Sequence, residues 1–380
     1  MALTGVLLTV LAGATVPVPV SPGIAAQIRS VTVTETDAER SVFTLVVDAG
    51  RSGPLAMLDA PLLSDPTFAL GNRVVLVLTV GAFPQVLMDG VITQTDFTPG
   101  NGADEKATLE VTGEDVSYLL DLEERDAEYP ALNDYLQVLA ILAPYAARGI
   151  LPLAVPPLSF DVTLPIESVP SQHNTDLRHL QDLAKRNSYV TYVVPGPVPG
   201  TSTMYWGPPV RLGLPQPTLS VALGAQTNVR GTPKFTADAL APVTVGGLVQ
   251  DPRSGSTSPV RAVTSLRPPL AVVPLAAVST PRTRKLRESG ITTTTAAARA
   301  QAAVDSAADA AVVGEGEVDG AVYGAVLRPR ALVGLRGAGW TYDGLWYVRK
   351  VVHEIAPGSW TQKFTIAREG YGSTVPAVIV

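Results

Sequence analysis

At 380 residues the chain is too long for one ordinary hydrophobic core, so two to four domains are expected. Hydrophobic residues make up 46% and charged residues 16%, a balance of folded, well-buried material and not of disorder. A net charge of −6 lacks the basic footprint of a nucleic-acid binder, and zero cysteines exclude disulfides, thiolate metal sites and cysteine nucleophiles.

The 33 prolines and 33 glycines suit many short strands and turns. Met1–Ala14 is apolar and ends in small residues, but no Lys or Arg precedes the run and the first basic residue is Arg29. It reads as a buried first strand leading into Val16–Val20, not as a secretory signal, and it is too short to span a bilayer. Ile28–Thr36 and Val42–Asp48 alternate as a hairpin around the polar loop Asp37–Arg40. Ser52–Phe68 carries Pro54, Pro61 and Pro66 and reads as irregular. A β meander follows: the apolar run Arg73–Val80, a turn at Asp89-Gly90, alternating Val91–Phe97, a turn at Pro99-Gly100 and the closing run Ala107–Gly113. Glu114–Leu122 then turns to helical spacing.

The middle of the chain reads as a small α+β unit. Asn133 is placed to cap a helix over Asp134–Ala147, with Leu136, Leu139, Ala140 and Ala143 on its buried side and Pro144 weakening its last turn. In Asn174–Arg186 the apolar stripe is Leu177, Leu180, Leu183 and Ala184. Asp176 at its start and Lys185 and Arg186 at its end complement the helix dipole. Tyr189–Val194 and Thr203–Trp206 form a hairpin around a Pro- and Gly-rich turn. Thr218–Leu223 opens the second half. Asp251–Arg284 lacks periodicity and reads as a long loop or arm, and Arg282–Arg287 is a basic spot of solvated loop charge. Ala-rich Thr293–Ala311 is a helix and Val312–Asp319 leads into a second meander. There Ala331–Arg336, a turn at Asp343-Gly344, Trp346–Ile355, a turn at Pro357-Gly358 and Thr361–Arg368 repeat the plan of the first: strand, D-G, strand, P-G, strand. Two related β domains in one chain are expected.

Candidate chemistry is sparse. His173 and His179 are six apart, a spacing that does not bring both rings to one helix face, and His353 falls in a strand. The carboxylates of Glu114–Glu128 read as a solvated edge, not a general acid/base pair. No nucleophile elbow, P-loop or dinucleotide fingerprint occurs. No catalytic, cofactor or metal residue is therefore assigned.

Five stretches, ATLEVTGEDVSYLLD, DLRHLQDLAKRNSYVTYV, MYWGPP, YGAVLRPRALVGLRGAG and GLWYVRKVVHEIAPGSWTQKFTIAREG, occur in an order that resembles the phage late control D family. These are baseplate hubs of contractile tails and injection systems, similar to the N-terminal half of VgrG spikes. The resemblance covers roughly Val31 to Gly372. It implies a mixed β and α+β chain, with two related β-barrel-like tube domains and a small α+β domain, assembled as a homotrimer into a pseudo-sixfold ring. The domains expected are 1–115, 116–217 and 218–380, the last carrying an inserted arm at 251–290 and a helix at 293–311. The implied place is the baseplate of a phage tail or tail-like particle, assembled in the bacterial cytoplasm. The implied partners are an inner-tube protein above, a spike below and other baseplate proteins, with no sequence-specific nucleic-acid binding and no transmembrane segment. Because the chain ends at Val380, with no room for a spike's barrel and β-helix, the spike is expected to be a separate polypeptide. Arg328, Arg336, Trp346, Arg349 and Lys350 are the residues expected at the tube and trimer interface. Two other classes remain: a carbohydrate- or surface-binding tail protein using Trp340, Tyr342, Trp346 and Tyr347, and a cell-wall hydrolase, which lacks a catalytic pair.

Overall fold

A computed structural model of the chain describes residues 2–374 apart from 4, 15, 51–60, 101–106, 163, 167–168 and 198–199. Part of the irregular stretch expected at Ser52–Phe68 therefore lies outside the described residues. The first six strands used below are β1 (Val6–Gly13), β2 (Ile28–Thr36), β3 (Val42–Asp48), β4 (Arg73–Val80), β5 (Phe83–Thr98) and β6 (Thr108–Asp115). They lie side by side in the order β1-β4-β5-β6-β3-β2, every neighbour antiparallel. Alternation dictates this packing. Val31 and Val33 on β2, and Phe43, Leu45 and Val47 on β3, point into one core and are fully buried, while the Thr residues between them face outward. β1 contributes Val6, Leu8 and Val10 to the same core, whereas Val16 and Val18 beyond it are exposed.

The middle unit comprises β7 (Glu124–Glu128), α1 (Asp134–Leu142), β8 (Ile150–Ala154), β9 (Ser171–Thr175), α2 (Asp176–Arg186), β10 (Val190–Pro195) and β11 (Ser202–Gly207). Asn133 accepts from the Leu136 N–H at 2.9 Å and caps α1 as its position implies, and α1 gives way to a 3-10 turn at the residues around Pro144. The buried face differs from expectation. Gln137, Val138, Ile141 and Leu142 point inward, while Leu136, Ala140 and Ala143 are exposed. Nearly every residue of this helix is apolar, so two stripes were available and the α2 contact selects the second. On α2 all four expected apolar residues are buried.

The second half supplies β12 (Gln216–Ser220), β13 (Val229–Ala237), β14 (Val243–Gln250), β15 (Thr257–Ala262), β16 (Arg282–Lys285), α3 (Thr293–Asp309), β17 (Val312–Asp319), β18 (Leu332–Arg336), β19 (Gly344–Ala356) and β20 (Ser359–Arg368). Six of these repeat the first arrangement in the order β12-β18-β19-β20-β17-β13. Ranked along the chain, both sets read first, fourth, fifth, sixth, third, second. One pairing differs: β1 runs antiparallel to β4, whereas β12 runs parallel to β18. The two six-strand modules belong to one 14-stranded sheet among the described residues, joined where β2 pairs with β19.

Three expectations are corrected. Among the described residues none of the sheets closes, so the modules are open sheets and not barrel-like units. Asp89-Gly90 is not a turn but lies inside β5, where Arg73 binds the Asp89 carboxylate at 2.6 and 3.0 Å. The stretch 251–284 is not a free loop. β15 and β16 flank β14, and Val243, Val245, Val249, Val260 and Ala262 pack on Ala296, Ala300 and Val304 of α3. Its strands are only six and four residues long, and β16 pairs with the distant Val243–Gly246, which hides their periodicity. No helix of the described residues is long and apolar enough to cross a membrane.

Candidate assembly site at the module seam

The seam between the modules is a run of main-chain pairing with a buried charged cluster beside it. β19 is long enough to change partner partway along. Its first residues, Gly344–Tyr347, pair with β18 of their own module, and Lys350–Ile355 pair with β2 of the other. Arg349 sits between the two halves as a bulge opposite β20 and accepts from the Asp37 N–H at 2.9 Å. Arg349 and Asp37 also form an ion pair at 3.3 Å.

Glu35 lies in the seam, 3% exposed, on the same face as Val31 and Val33. A carboxylate there needs partners, because desolvating an unpaired charge is costly. Arg328 lies 3.2 Å from it and also donates to the main-chain carbonyls of Val86 and Leu87 on β5. The loop that carries Arg328 is held rigidly. The Gln216 side chain accepts from the Arg328 N–H and donates to its carbonyl, both at 2.8 Å. Fully buried Gln362 does the same for Leu327 and Ala325. His353, also fully buried, sits 3.6 Å from Glu35. Burial opposes the charge on Glu35, but the Arg328 guanidinium and then His353 outweigh it and hold the carboxyl down at about 2. Burial pushes His353 below its usual value despite the neighbouring carboxylate, so the resting cluster is Arg⁺, Glu⁻ and neutral imidazole.

Arg330 ties the middle unit to the seam. Its guanidinium donates to the carbonyls of Thr36 and Val193 and to the Ser41 hydroxyl, at 2.7, 2.8 and 3.1 Å, and lies 4.1 Å from the centre of the Tyr192 ring. A second buried cluster fastens α3. Arg211 pairs with Asp309 at 2.8 Å and with Glu369 at 2.7 Å, and the other Glu369 oxygen accepts from the Leu270 and Ala271 N–H groups.

Of the residues expected at an interface, Arg328, Arg349 and Lys350 do meet another β module, but it is the one in the same chain. Arg336 is exposed at the end of β18. Trp346 has no exposed surface: its indole N–H donates to the Tyr342 carbonyl, Arg368 stacks on its ring at 4.3 Å, and it belongs to the second core. It is removed from the interface. Tyr347 is buried as well, and of the four aromatics considered as a binding face only Trp340 is largely exposed. His173 pairs with Asp126 on the surface and His179 contacts Gln137 in the interior. Among the residues that sequence reasoning missed are Glu35, Gln216, Gln362 and Arg330. A Glu in an apolar phase of an alternating strand, as in VTVTE, was the available signal for the first.

The architecture, two topologically matched open β modules in one sheet with an α+β unit between them, is that of phage tail proteins. No family model matches the chain, and no curated protein matches it by sequence. Solved structures do. A tail protein from Neisseria meningitidis MC58 superimposes with a TM-score of 0.65 at 14% identity, covering 96% of this chain and 97% of that one. The 43 kDa tail protein of prophage MuSo2 from Shewanella oneidensis gives 0.62 at 15%, covering 95% and 98%. The Escherichia coli c3393 protein is a component of the type VI secretion system with structural similarity to the T4 bacteriophage tail proteins gp27 and gp5. It gives 0.54 at 12%, covering 93% of this chain and 77% of that one. At these identities the likeness is one of fold.

Proposed function

We propose that the chain is a structural hub of a contractile tail or injection apparatus, of the late control D type, which adapts a hexameric inner tube to a trimeric spike. The observation that carries this reading is the duplicated module: six strands in the same order, twice, joined edge to edge in one sheet. Three copies of such a chain present six similar β units, which is what a sixfold-to-threefold adaptor requires. The likeness to tail proteins along nearly the whole chain supports the same role, with an inner tube, a spike and other baseplate proteins as partners. Expected in the assembled particle is a threefold ring whose modules line one channel, seen in a structure or cross-linking map. A single copy per particle, or modules that do not share an axis, would sink the hub reading.

A further inference from the structure

We infer that the outer edge of β13 in one copy pairs with the free second half of β5 in the next copy, antiparallel and in the register of the internal seam. The internal seam shows what each module offers its neighbour. The second-ranked strand of module one, β2, lies on Lys350–Ile355 of β19, the fifth-ranked strand of module two. The matching step from module two to module one would place β13 on the matching half of β5. Both edges are unfilled among the described residues. No described strand pairs with β13 on the side away from β17, or with β5 beyond Ile92 on the side away from β6.

The register follows rung by rung. β5 bulges at Thr93, between Ile92 opposite Gly113 and Gln94 opposite Thr112. β19 bulges at Arg349, between Val348 opposite Ile366 and Lys350 opposite Thr365. Gln94–Thr98 therefore match Lys350–Glu354. Through Phe43 and Gly314 on the same rungs, Val33 matches Phe235. The internal rungs Val352 to Thr34, His353 to Val33 and Glu354 to Thr32 then become Asp96 to Thr236, Phe97 to Phe235 and Thr98 to Lys234. Exposure agrees with a missing partner. Val351 and His353 have no exposed surface, but their counterparts Thr95 and Phe97 are half-buried and 37% exposed; Val33 and Glu35 are buried, but Phe235 and Ala237 are only partly so.

The side chains name the occupant. At the internal seam the buried keys are Arg328, Glu35 and His353, and in the other seam their places fall on Ala69, Ala237 and Phe97. The Asp37–Arg349 pair falls on Ala239 and Thr93. β2 of another copy laid on β5 would bury Glu35 with no guanidinium to meet it, which costs several kcal/mol. β13 brings Phe235 to Phe97, and Lys234 to the same face as Asp96. The partner of this edge is therefore module two of a second copy, and the modules alternate around the assembly. The pairing is head-to-tail, which gives a ring where the rotation closes and a filament where it does not; closure, and the number of copies, three, rest on the hub reading.

The chain has no cysteine, so an introduced pair carries the only thiols. Asp96→Cys with Thr236→Cys in the full chain, treated with a short bis-maleimide, is expected to give covalent species that end at three chains. Gln94→Cys with Lys234→Cys places the thiols about four residues out of register, roughly 13 Å along the strand, and is expected to give none. Phe97→Glu is expected to abolish linkage in the first pair while leaving the circular dichroism of the folded chain unchanged. A sample that light scattering shows to be trimeric but that does not link at 96 and 236 overturns this seam and leaves the hub reading standing. A chain that stays monomeric at the highest concentration reached, or linkage that stops at two chains, also overturns it.

Discussion

Gly71 and Arg330 stand at the same place in the two modules, and both are left-handed, with φ of 83° and 68°. Gly71 donates its N–H to the Ile92 carbonyl at 2.9 Å, and Arg330 donates to the Val348 carbonyl at 2.7 Å. The residues that follow them, Asn72 and Ala331, accept from the N–H groups of the same Ile92 and Val348. An L side chain in this conformation costs about 1–2 kcal/mol, a cost that glycine avoids. Arg330 bears it because three hydrogen bonds and the Tyr192 ring hold its guanidinium.

That pair predicts losses of different origin at matched positions. Gly71→Ala is expected to lose about 1–2 kcal/mol, the strain alone. Arg330→Gly removes the strain and still loses about 2–4 kcal/mol net, because charge-assisted hydrogen bonds are worth about 1.5–3 kcal/mol each. Urea denaturation of the two variants measures both. A stabilised Arg330→Gly would show that its side-chain contacts contribute little.

Removing Arg328 leaves Glu35 buried and charged. Arg328→Ala is expected to destabilise by about 3–5 kcal/mol, and Arg328→Ala with Glu35→Leu by clearly less, since the second change removes the stranded carboxylate. A double-mutant cycle read by denaturation gives the coupling, and additive losses would mean the pair does not interact.

The same cluster gives acid sensitivity. Glu35 is held at about 2 against an ordinary value of 4.5, so its contribution is fully present above pH 4.5 and is lost as the pH falls towards about 2. His353 is also depressed, and its contribution declines as the pH falls below 6.5. Both act in one direction. Thermal melting across pH 2–7 should therefore fall on acidification, by an amount worth about 3 kcal/mol between pH 4.5 and 2 for Glu35. Glu35→Gln should flatten that limb, and an unchanged slope would assign the acid sensitivity elsewhere.

In the middle unit Leu180 is fully buried and Asp182 is exposed. Leu180→Ala is expected to cost about 2–5 kcal/mol, and Asp182→Ala to stay within about 0.5 kcal/mol. Equal losses on denaturation would mean that α2 does not pack through this face.

Much of the strand framework was legible because it rests on local alternation. The Val31, Val33, Phe43 and Leu45 pattern marks the β2–β3 hairpin, and the Leu177, Leu180, Leu183 spacing marks the buried face of α2. The duplicated meander was visible too, but through the wrong markers. Asp89-Gly90 and Asp343-Gly344 look alike in sequence, whereas the rungs match Asp89 to Leu345 and Gly90 to Trp346. A D-G dipeptide is a local turn signal, and Arg73 overrides it by binding Asp89 within the sheet. The pairing inside the seam cluster could not be read. Glu35 and Arg328 are 293 residues apart, and only strand pairing between modules brings them together.

One consequence follows from where aromatic bulk sits on the central rungs. Gly113 lies where a methyl group would fall 2.4 Å from the Phe43 ring, and Gly314 where one would fall 2.9 Å from the Phe235 ring. Both modules thus seat a phenyl over a glycine, but the phenyl has moved one strand outward, from β3 in the first to β13 in the second. A ladder of peptide groups is indifferent to such an exchange, so long as each rung keeps one bulky and one empty place. Chains built this way can drift far in composition while their backbones stay superimposable. The features that both modules keep are few: the left-handed corner that pairs with each long strand, the bulge, and a glycine under a ring.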